Sequence, residues 1–439
     1  MKNSVYIFLF MLVSGSASAQ GGQVSLSLNQ AMEAGLKNRF DVQAYKYNPE
    51  IATNEAKKSK MEWIPDISAT GNVRYNPELQ AIYVPKGFGG LTEPQLIALG
   101  ARNNSVFALE LNQVIWKPGI ATDVKIAANN AELEKEKNRD NDDNVKEQIA
   151  GAYLNVLLRQ LQYRIAVDEE QRYKDYYEVA DGKVKLGSMI ENDFLKAKLD
   201  YENAKVEALK SKQNYDLSMD NLKYRVNIPE GTVVTLTDSI YSSGILAVTS
   251  QLTPAGENRT EIKQYVLEQQ ANNLQLAKTK QNALPTVSLF GSYAGEFLYD
   301  NFNYNKSEWW STFSYVGVKF SVPITSNFKN NNSIRSYKLK TEQTNLNLEQ
   351  QRADITFEIQ KATTELNNSE SNMQTTKSNY NLSKTVYENQ KQQYGLGSLS
   401  YSDLLDTDKA LNTAEQNYVK SVYDYLVSKI NYSKAIGVL

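Results

Sequence analysis

Pro65-Asp66-Ile67-Ser68-Ala69-Thr70-Gly71-Asn72-Val73-Arg74-Tyr75 alternates without a break after its proline. Ile67, Ala69, Gly71, Val73 and Tyr75 fall on one side, and Asp66, Ser68, Thr70, Asn72 and Arg74 on the other. That period of two marks a strand with one apolar and one polar face. The proline ends whatever helix precedes it, because the residue before proline is pushed out of the helical region. The same plan follows Pro285, where Val287, Leu289, Gly291 and Tyr293 oppose Thr286, Ser288 and Ser292, with Phe290 a departure. Returning strands place Phe107, Leu109 and Leu111 on one face, and Val316, Val318, Phe320 and Val322 on one face of the other. Strands are thus expected at about 66–75, 105–113, 286–295 and 312–322. Their length suits a tilted strand crossing a bilayer; a small antiparallel sheet with one solvated face has the same alternation.

Working outward, the chain is two copies of one plan. A shift of 220 residues lays Tyr45, Lys58, Lys60, Pro65, Ser68 and Gly71 on Tyr265, Lys278, Lys280, Pro285, Ser288 and Gly291. A shift of 210 lays Leu186-Gly187-Ser188 on Leu396-Gly397-Ser398, and Asp193, Leu195, Ala204, Lys210, Ser211, Tyr215, Ser218 and Asn221 on Asp403, Leu405, Ala414, Lys420, Ser421, Tyr425, Ser428 and Asn431. The expected division is 1–19, a secretory signal; 20–227, the first repeat; 228–258, a linker or equatorial segment; and 259–439, the second repeat. Each repeat reads helix, strand, loop, strand, very long helix, turn, helix, with helices at about 123–181, 190–226, 327–393 and 401–436. The signal rests on Lys2, the apolar run Val5 to Val13 and the small residues Ala17-Ser18-Ala19, so that the mature chain begins near Gln20. Pro49 falls inside the helix before the first strand, where it kinks or restarts it.

From Asn327 to Gln393 there is neither proline nor glycine, and one helix of that length runs on the order of 100 Å at 1.5 Å per residue. Ile355, Ile359, Ala362 and Leu366 are followed every seven residues by Met373, Tyr380, Tyr387 and Tyr394, beside a small or polar companion seam of Ser369, Thr376, Ser383 and Gln390. A strict seven-residue period imposes left-handed supercoiling and leaves most of the helix wet. Leu154, Leu158, Leu161 and Ile165 repeat the spacing in the first copy. Four strands cannot close a barrel, and open edges cannot lie in lipid. Chains must therefore associate, two, three or four protomers giving eight, twelve or sixteen strands.

The 439 residues contain 48 Lys+Arg, 50 Asp+Glu, no His and no Cys. Disulfides, His- or Cys-ligated metals, Cys nucleophiles and His bases are thereby excluded. A net charge of −2 offers no basic stripe for nucleic acid. Mean hydropathy is −0.52, and 28 tyrosines outnumber 13 phenylalanines, as suits surfaces apolar on one side and wet on the other. The loops 76–104 and Phe297 to Trp310 are expected at the surface, the latter with interfacial aromatics.

The stretch Tyr394-Gly395-Leu396-Gly397-Ser398-Leu399-Ser400-Tyr401-Ser402-Asp403-Leu404-Leu405-Asp406, followed by Ala410, Ala414, Tyr425 and the ending Ala435-Ile436-Gly437-Val438-Leu439, resembles the TolC-like outer-membrane efflux proteins (outer membrane factors) of Gram-negative bacteria, across essentially the whole mature chain. The resemblance implies a mostly α fold with a membrane β-barrel: four strands per protomer contribute to an intersubunit twelve-stranded barrel of a homotrimer in outer-membrane lipid. Long coiled helical hairpins form an α-barrel tube reaching into the periplasm. It implies a passive exit duct serving a periplasmic adaptor (membrane fusion protein) and an inner-membrane pump, with no cofactor and no catalytic or metal site. Junctions depart from the family pattern at Val114-Ile115-Trp116-Lys117-Pro118-Gly119 and Pro323-Ile324-Thr325-Ser326.

Asp403 and Asp406 share a helix face, and the resemblance assigns them to the pore constriction as stacked carboxylate rings, which favour cations. Helix-start electrostatics is the alternative for Asp193 and Asp403, and a solvated helix face is the alternative for Asp403 with Asp406. Tyr394, with Asp193 and Asn192, matches the family's closed-state tip links, while Leu399 stands where an arginine is common. The turns Leu186-Gly187-Ser188 and Leu396-Gly397-Ser398 match the adaptor-docking tips. Two other readings compete: a periplasmic or surface coiled-coil interaction protein without channel activity, and an enzyme, for which no nucleophile-elbow, P-loop or dinucleotide motif is present.

Overall fold

The computed structural model describes residues 23–241 and 256–439. The expected signal at 1–19, the mature start near Gln20 and the middle of the 228–258 segment lie outside the described residues. Two compact units share the chain, and each takes parts from both repeats: Met1–Tyr45, Arg139–Arg259 and Ala353–Leu439 make one, Lys46–Asn138 and Thr260–Arg352 the other.

The second unit is built on a four-stranded sheet. Its strands are β2 (Asp66–Tyr75), β5 (Asn103–Trp116), β7 (Thr286–Tyr299) and β8 (Trp310–Ser321), in the order β2-β5-β7-β8, every pair antiparallel. Register carries the alternation across all four strands. Ile67, Leu111, Gly291 and Val316 form one row of the apolar face, and Ala69, Leu109 and Tyr293 lie in the next. Ser68, Glu110, Ser292 and Tyr315 form a row of the other face. Phe290 breaks the pattern for a steric reason. It faces Gly317, where a Cβ would stand 2.8 Å from its ring, and it meets Tyr315 edge-on.

Several sequence expectations need correction here. β5 runs to Trp116 through an irregularity between Val114 and Trp116, and the next helix, α3 (Pro118–Lys185), starts at once. Proline suits that first helical position because its missing N–H would have no partner there. The 76–104 loop contains a hairpin of β3 (Ala81–Val84) and β4 (Gln95–Ala98). Phe297 belongs to β7, not to a surface loop, and is fully buried against Tyr304 and Trp310. Pro49 lies within α2 (Phe40–Met61), whose break from α1 (Leu28–Asn38) comes earlier, at Arg39 in extended conformation.

The first unit is helical. It holds α1, α4 (Glu191–Val226), α7 (Tyr401–Ala435) and the distal stretches of α3 and of α6 (Ser326–Gly395), with a parallel pair of short strands, β1 (Gln23–Leu26) and β6 (Val233–Leu236). α5 (Thr260–Gln281) belongs to the sheet unit. Between residues 366 and 394 of α6 the only positions not exposed are 366, 369, 373, 376, 380, 383, 387, 390 and 394, a seven-residue repeat of two seams. The fully buried Tyr153 of α3 fastens the small sheet. Its hydroxyl donates to the Leu26 carbonyl and lies 2.9 Å from Asp238, which also accepts from the Leu28 N–H. Tyr153→Phe therefore strands buried acceptors, and chemical denaturation should show a loss of about 1–3 kcal/mol.

Candidate functional site at the hairpin tips

Both helical hairpins of the first unit end in the same turn. The Ser188 N–H donates to the Lys183 carbonyl at 2.9 Å and Gly187 N–H to Val184 at 2.9 Å; Ser398 donates to Gln393 at 3.0 Å and Gly397 to Tyr394 at 3.1 Å. The pattern is a Schellman cap, whose left-handed residue is glycine at little steric cost: φ is +67° at Gly187 and +78° at Gly397. Each serine hydroxyl adds a bond to the same carbonyl as its N–H. Leu186 and Leu396 ahead of these glycines are both 84% exposed, and Ser188 and Ser398 are exposed too. The two tips therefore present one apolar side chain each on a rigid turn.

Returning helices differ at their starts. Ser400 caps α7: its hydroxyl accepts from the Asp403 N–H at 3.2 Å and donates to the Asp403 carboxylate at 2.6 Å. Asp403 thus holds the capping hydroxyl with its carboxylate, beside the partial positive charge of the helix N-terminus. Asp406 is exposed one turn on, and Asp403 is exposed despite its bond. Ile190 caps α4 without a side-chain bond, and Asp193 and Asn192 follow it, half-buried and exposed. The Tyr394 ring lies 4.5 Å from the Lys183 ammonium, and its buried hydroxyl has no hydrogen-bond partner among the described residues. Tyr394 and Asp193 are therefore not bonded to each other within one chain.

Behind the tips lies a polar cluster that the sequence reading missed. Asp408, 1% exposed, accepts from Arg172 Nε at 2.9 Å, joining α7 to α3. The Tyr176 and Tyr387 hydroxyls meet at 2.7 Å, joining α3 to α6. Tyr173, Tyr401, Leu404 and Leu405 pack around them. One signal for it was present: Asp408 occupies a buried stripe with Tyr401, Leu404, Leu405 and Leu411, where a charge needs a partner. Asp408 Oδ2 and Arg172 Nη2 remain without hydrogen-bond partners among the described residues. Burial raises the Asp408 pKa, opposed by Arg172, and burial likewise raises those of Glu169 and Glu415 nearby. No group of His, Cys, Asp and Glu able to hold a metal occurs among the described residues.

Residues 250–438 match the model of the outer membrane efflux protein family. That segment of the chain is thus similar to an outer membrane efflux protein domain. The chain is similar in fold to CusC (TM-score 0.76, 16% identity, 96% of this chain and 95% of that one). It is also similar to the CmeC outer membrane channel of Campylobacter jejuni (0.70, 17%, 94% and 85%) and to the outer membrane protein VceC of Vibrio cholerae (0.71, 13%, 93% and 96%). Comparison with curated proteins finds no match. The second tip and the α6 and α7 side of the buried cluster fall in the matched segment, whereas the first tip and the α3 side of the cluster lie outside it.

Two stability outcomes follow. Asp408→Asn leaves the Arg172 guanidinium buried without its counter-charge and should cost about 3–5 kcal/mol in denaturant unfolding, whereas Arg172→Met with Asp408→Leu should restore most of it. Raised carboxyl pKa values in the folded state mean that their stabilising contribution is full below the ordinary carboxylate range and is lost as pH rises through the raised values. The melting temperature should fall from pH about 4 to neutrality, and Glu169→Gln with Glu415→Gln should flatten that slope.

Proposed function

We propose that the chain is the outer-membrane exit duct of an efflux or secretion system, assembled as a homotrimer. The carrying observation is the sheet: four strands, all antiparallel, with β2 and β8 at open edges and a well-exposed apolar face that includes Ile67, Leu109, Tyr293, Val316 and Val318. An even, fully antiparallel count makes β8 of one copy antiparallel to β2 of the next, so identical copies can close a ring. Three copies give the twelve strands expected of the family. Aromatics bracket the sheet, with Tyr75, Phe302, Trp309 and Trp310 at the loop end and Trp63 and Trp116 at the helix end, as at the two interfaces of a membrane barrel.

The helical unit supports the same closure. α3 contacts α4 through stacked Tyr163–Tyr215 and α7 through Arg172–Asp408, and α7 contacts α6 through Thr376–Ser421 and Tyr380–Glu415. α6 also meets α3 through Tyr176–Tyr387, and both α4 and α6 keep an outward face. Each exposes apolar side chains: Leu199, Val206 and Leu209 on α4, Phe357 and Leu382 on α6. These fit one another across a copy boundary.

Within this reading Asp403 and Asp406 of three copies form carboxylate rings at the periplasmic constriction. Tyr394 of one hairpin reaches Asp193 or Asn192 of a neighbouring copy, which would occupy its unpartnered hydroxyl. The tips Leu186-Gly187-Ser188 and Leu396-Gly397-Ser398 dock the periplasmic adaptor, and the inner-membrane pump supplies the energy. Conduction is passive, needing no catalytic group, and opening swings the inner helix pair outward.

Planar bilayers test the reading. The purified chain should give discrete, cation-preferring conductance steps. Asp403→Asn with Asp406→Asn should move the reversal potential toward zero in a salt gradient, and Tyr394→Phe should raise the opening frequency. Inserted protein that never conducts overturns the duct; an unchanged reversal potential overturns the rings alone.

A further inference from the structure

Chain segments pass between helix and strand four times at one end of the four-stranded sheet. Register gathers them there: Asp66 lies beside Asn112, Trp116 beside Val287, and Thr286 beside Ser321. Side chains tie the adjoining helix ends. Gln113 Nε2 donates to the Trp63 carbonyl at 2.9 Å, Thr122 to Gln281 at 2.6 Å, and Asn330 Nδ2 to the Thr279 carbonyl at 3.2 Å. An apolar band is exposed at this end: Trp63, Ile64, Trp116, Phe320, Ile324 and Phe328.

Next to this band, lysines crowd the helix ends. Lys58 and Lys60 occupy the last turn of α2 beside Lys57, and Lys278 and Lys280 the last turn of α5. Lys117 and Lys329 stand where α3 and α6 begin. Local carboxylates take three of them: Glu55 pairs with Lys58, Glu62 with Lys117 and Asp123 with Lys278. Lys57, Lys60, Lys280 and Lys329 are exposed and outside those pairs. At the loop end, by contrast, Lys86 has Glu93 and Lys306 has Glu308. Among the lysines of the sheet unit, those outside such pairs thus gather at the helix end.

The repeat sharpens the observation. Lys58 and Lys60 fall on Lys278 and Lys280, at equal distances before Pro65 and Pro285, although the intervening Met61-Glu62-Trp63-Ile64 and Gln281-Asn282-Ala283-Leu284 share no residue. A helix advances 1.5 Å per residue, so these lysines stand roughly 10–15 Å along the chain axis from the strand ends, and a lysine stem covers apolar surface while its head seeks polar surroundings. Tryptophan and isoleucine, then unmatched ammonium, is the depth profile of a leaflet passing from acyl chain to phosphate.

We propose that Lys57, Lys60, Lys280 and Lys329 form a collar that binds the phosphate headgroups of anionic phospholipid, of the phosphatidylglycerol class, in the leaflet at the helix end of the sheet. The collar rests on the membrane reading above. It would set the depth of the sheet in the bilayer and make the assembly sensitive to the anionic lipid of that leaflet.

The test reconstitutes the full chain into nanodiscs of equal phosphatidylglycerol and phosphatidylcholine, extracts it in uncharged detergent, and counts the retained lipids by native mass spectrometry. Retention should favour phosphatidylglycerol roughly fivefold or more, from attraction of basic residues to an anionic surface. Combined Lys57→Gln, Lys60→Gln, Lys280→Gln and Lys329→Gln should bring it to parity, while Lys86→Gln with Lys306→Gln at the loop end should not. Lysines near a helix C-terminus also favour its dipole. If the fourfold variant only lowers the melting temperature in detergent and leaves the lipid ratio unchanged, that role is the whole of it and the collar is overturned. Displacement of the lipid by millimolar inorganic phosphate would overturn the assignment to lipid. Conductance from the same samples separates the two proposals: a conducting wild type without lipid preference sinks the collar alone, whereas a wild type that never inserts sinks the duct.

Discussion

An unpaired backbone N–H or C=O in hydrocarbon costs several kcal/mol, and β2 and β8 each present a whole row of them along an open edge. A sheet with one apolar face is at home in lipid only if those rows meet. Within one chain they cannot, since four strands are too few to curl into a cylinder. In the membrane reading proposed above the remaining solution is another copy, and the antiparallel order allows it without reversing any strand. The pair of hairpins in each chain follows from the same demand: a duplicated helix–strand–strand–helix plan contributes an even number of strands and returns each long helix to the same end of the sheet.

The helical unit meets a different constraint. A seam made of Met373, Tyr380, Tyr387 and Tyr394 on one side and Ser369, Thr376, Ser383 and Gln390 on the other has little apolar area to bury, so polar bonds carry specificity that a leucine zipper would obtain from packing. Thr376 meets Ser421, Gln390 meets Thr407, and Tyr176 meets Tyr387. Arg172 and Asp408 are the costly version of the same device. Their burial contributes little net stability, because desolvation offsets attraction, but removal of either leaves a lone buried charge. They fix how the two hairpins of one chain lie on each other.

Strands and seams were legible because both depend on periodicity, which the chain keeps almost without exception. The half-buried positions of α6 from 366 to 394 are those of the two seven-residue ladders, and β2 covers the residues that alternate after Pro65. What escaped depends on contacts distant in sequence. Phe297 reads as one more aromatic in a loop until β5 is seen beside β7, opposite Ser105. Val114-Ile115-Trp116 has no clean alternation because the register shifts there. Arg172 and Asp408 are 236 residues apart, and neither has a local pattern that names the other. Of the tip residues, the two turns were legible from their glycines, and Asp403 from its place near the start of the returning helix, while its bond to Ser400 came from the structure. The roles proposed for Asp406, Asp193 and Asn192 depend on neighbours that a single chain does not contain.

The absence of cysteine makes the central claim directly measurable. A cysteine placed at Ala69 of β2, combined in turn with cysteines at Thr312, Ser314 and Val316 of β8, gives a background-free cross-linking scan in membranes. Edge-to-edge closure between copies predicts that one or two of these combinations convert the chain to a covalent trimer on mild oxidation, while the single-cysteine variants stay monomeric. Absence of any intermolecular product across the scan, with the protein inserted and folded, would contradict the account.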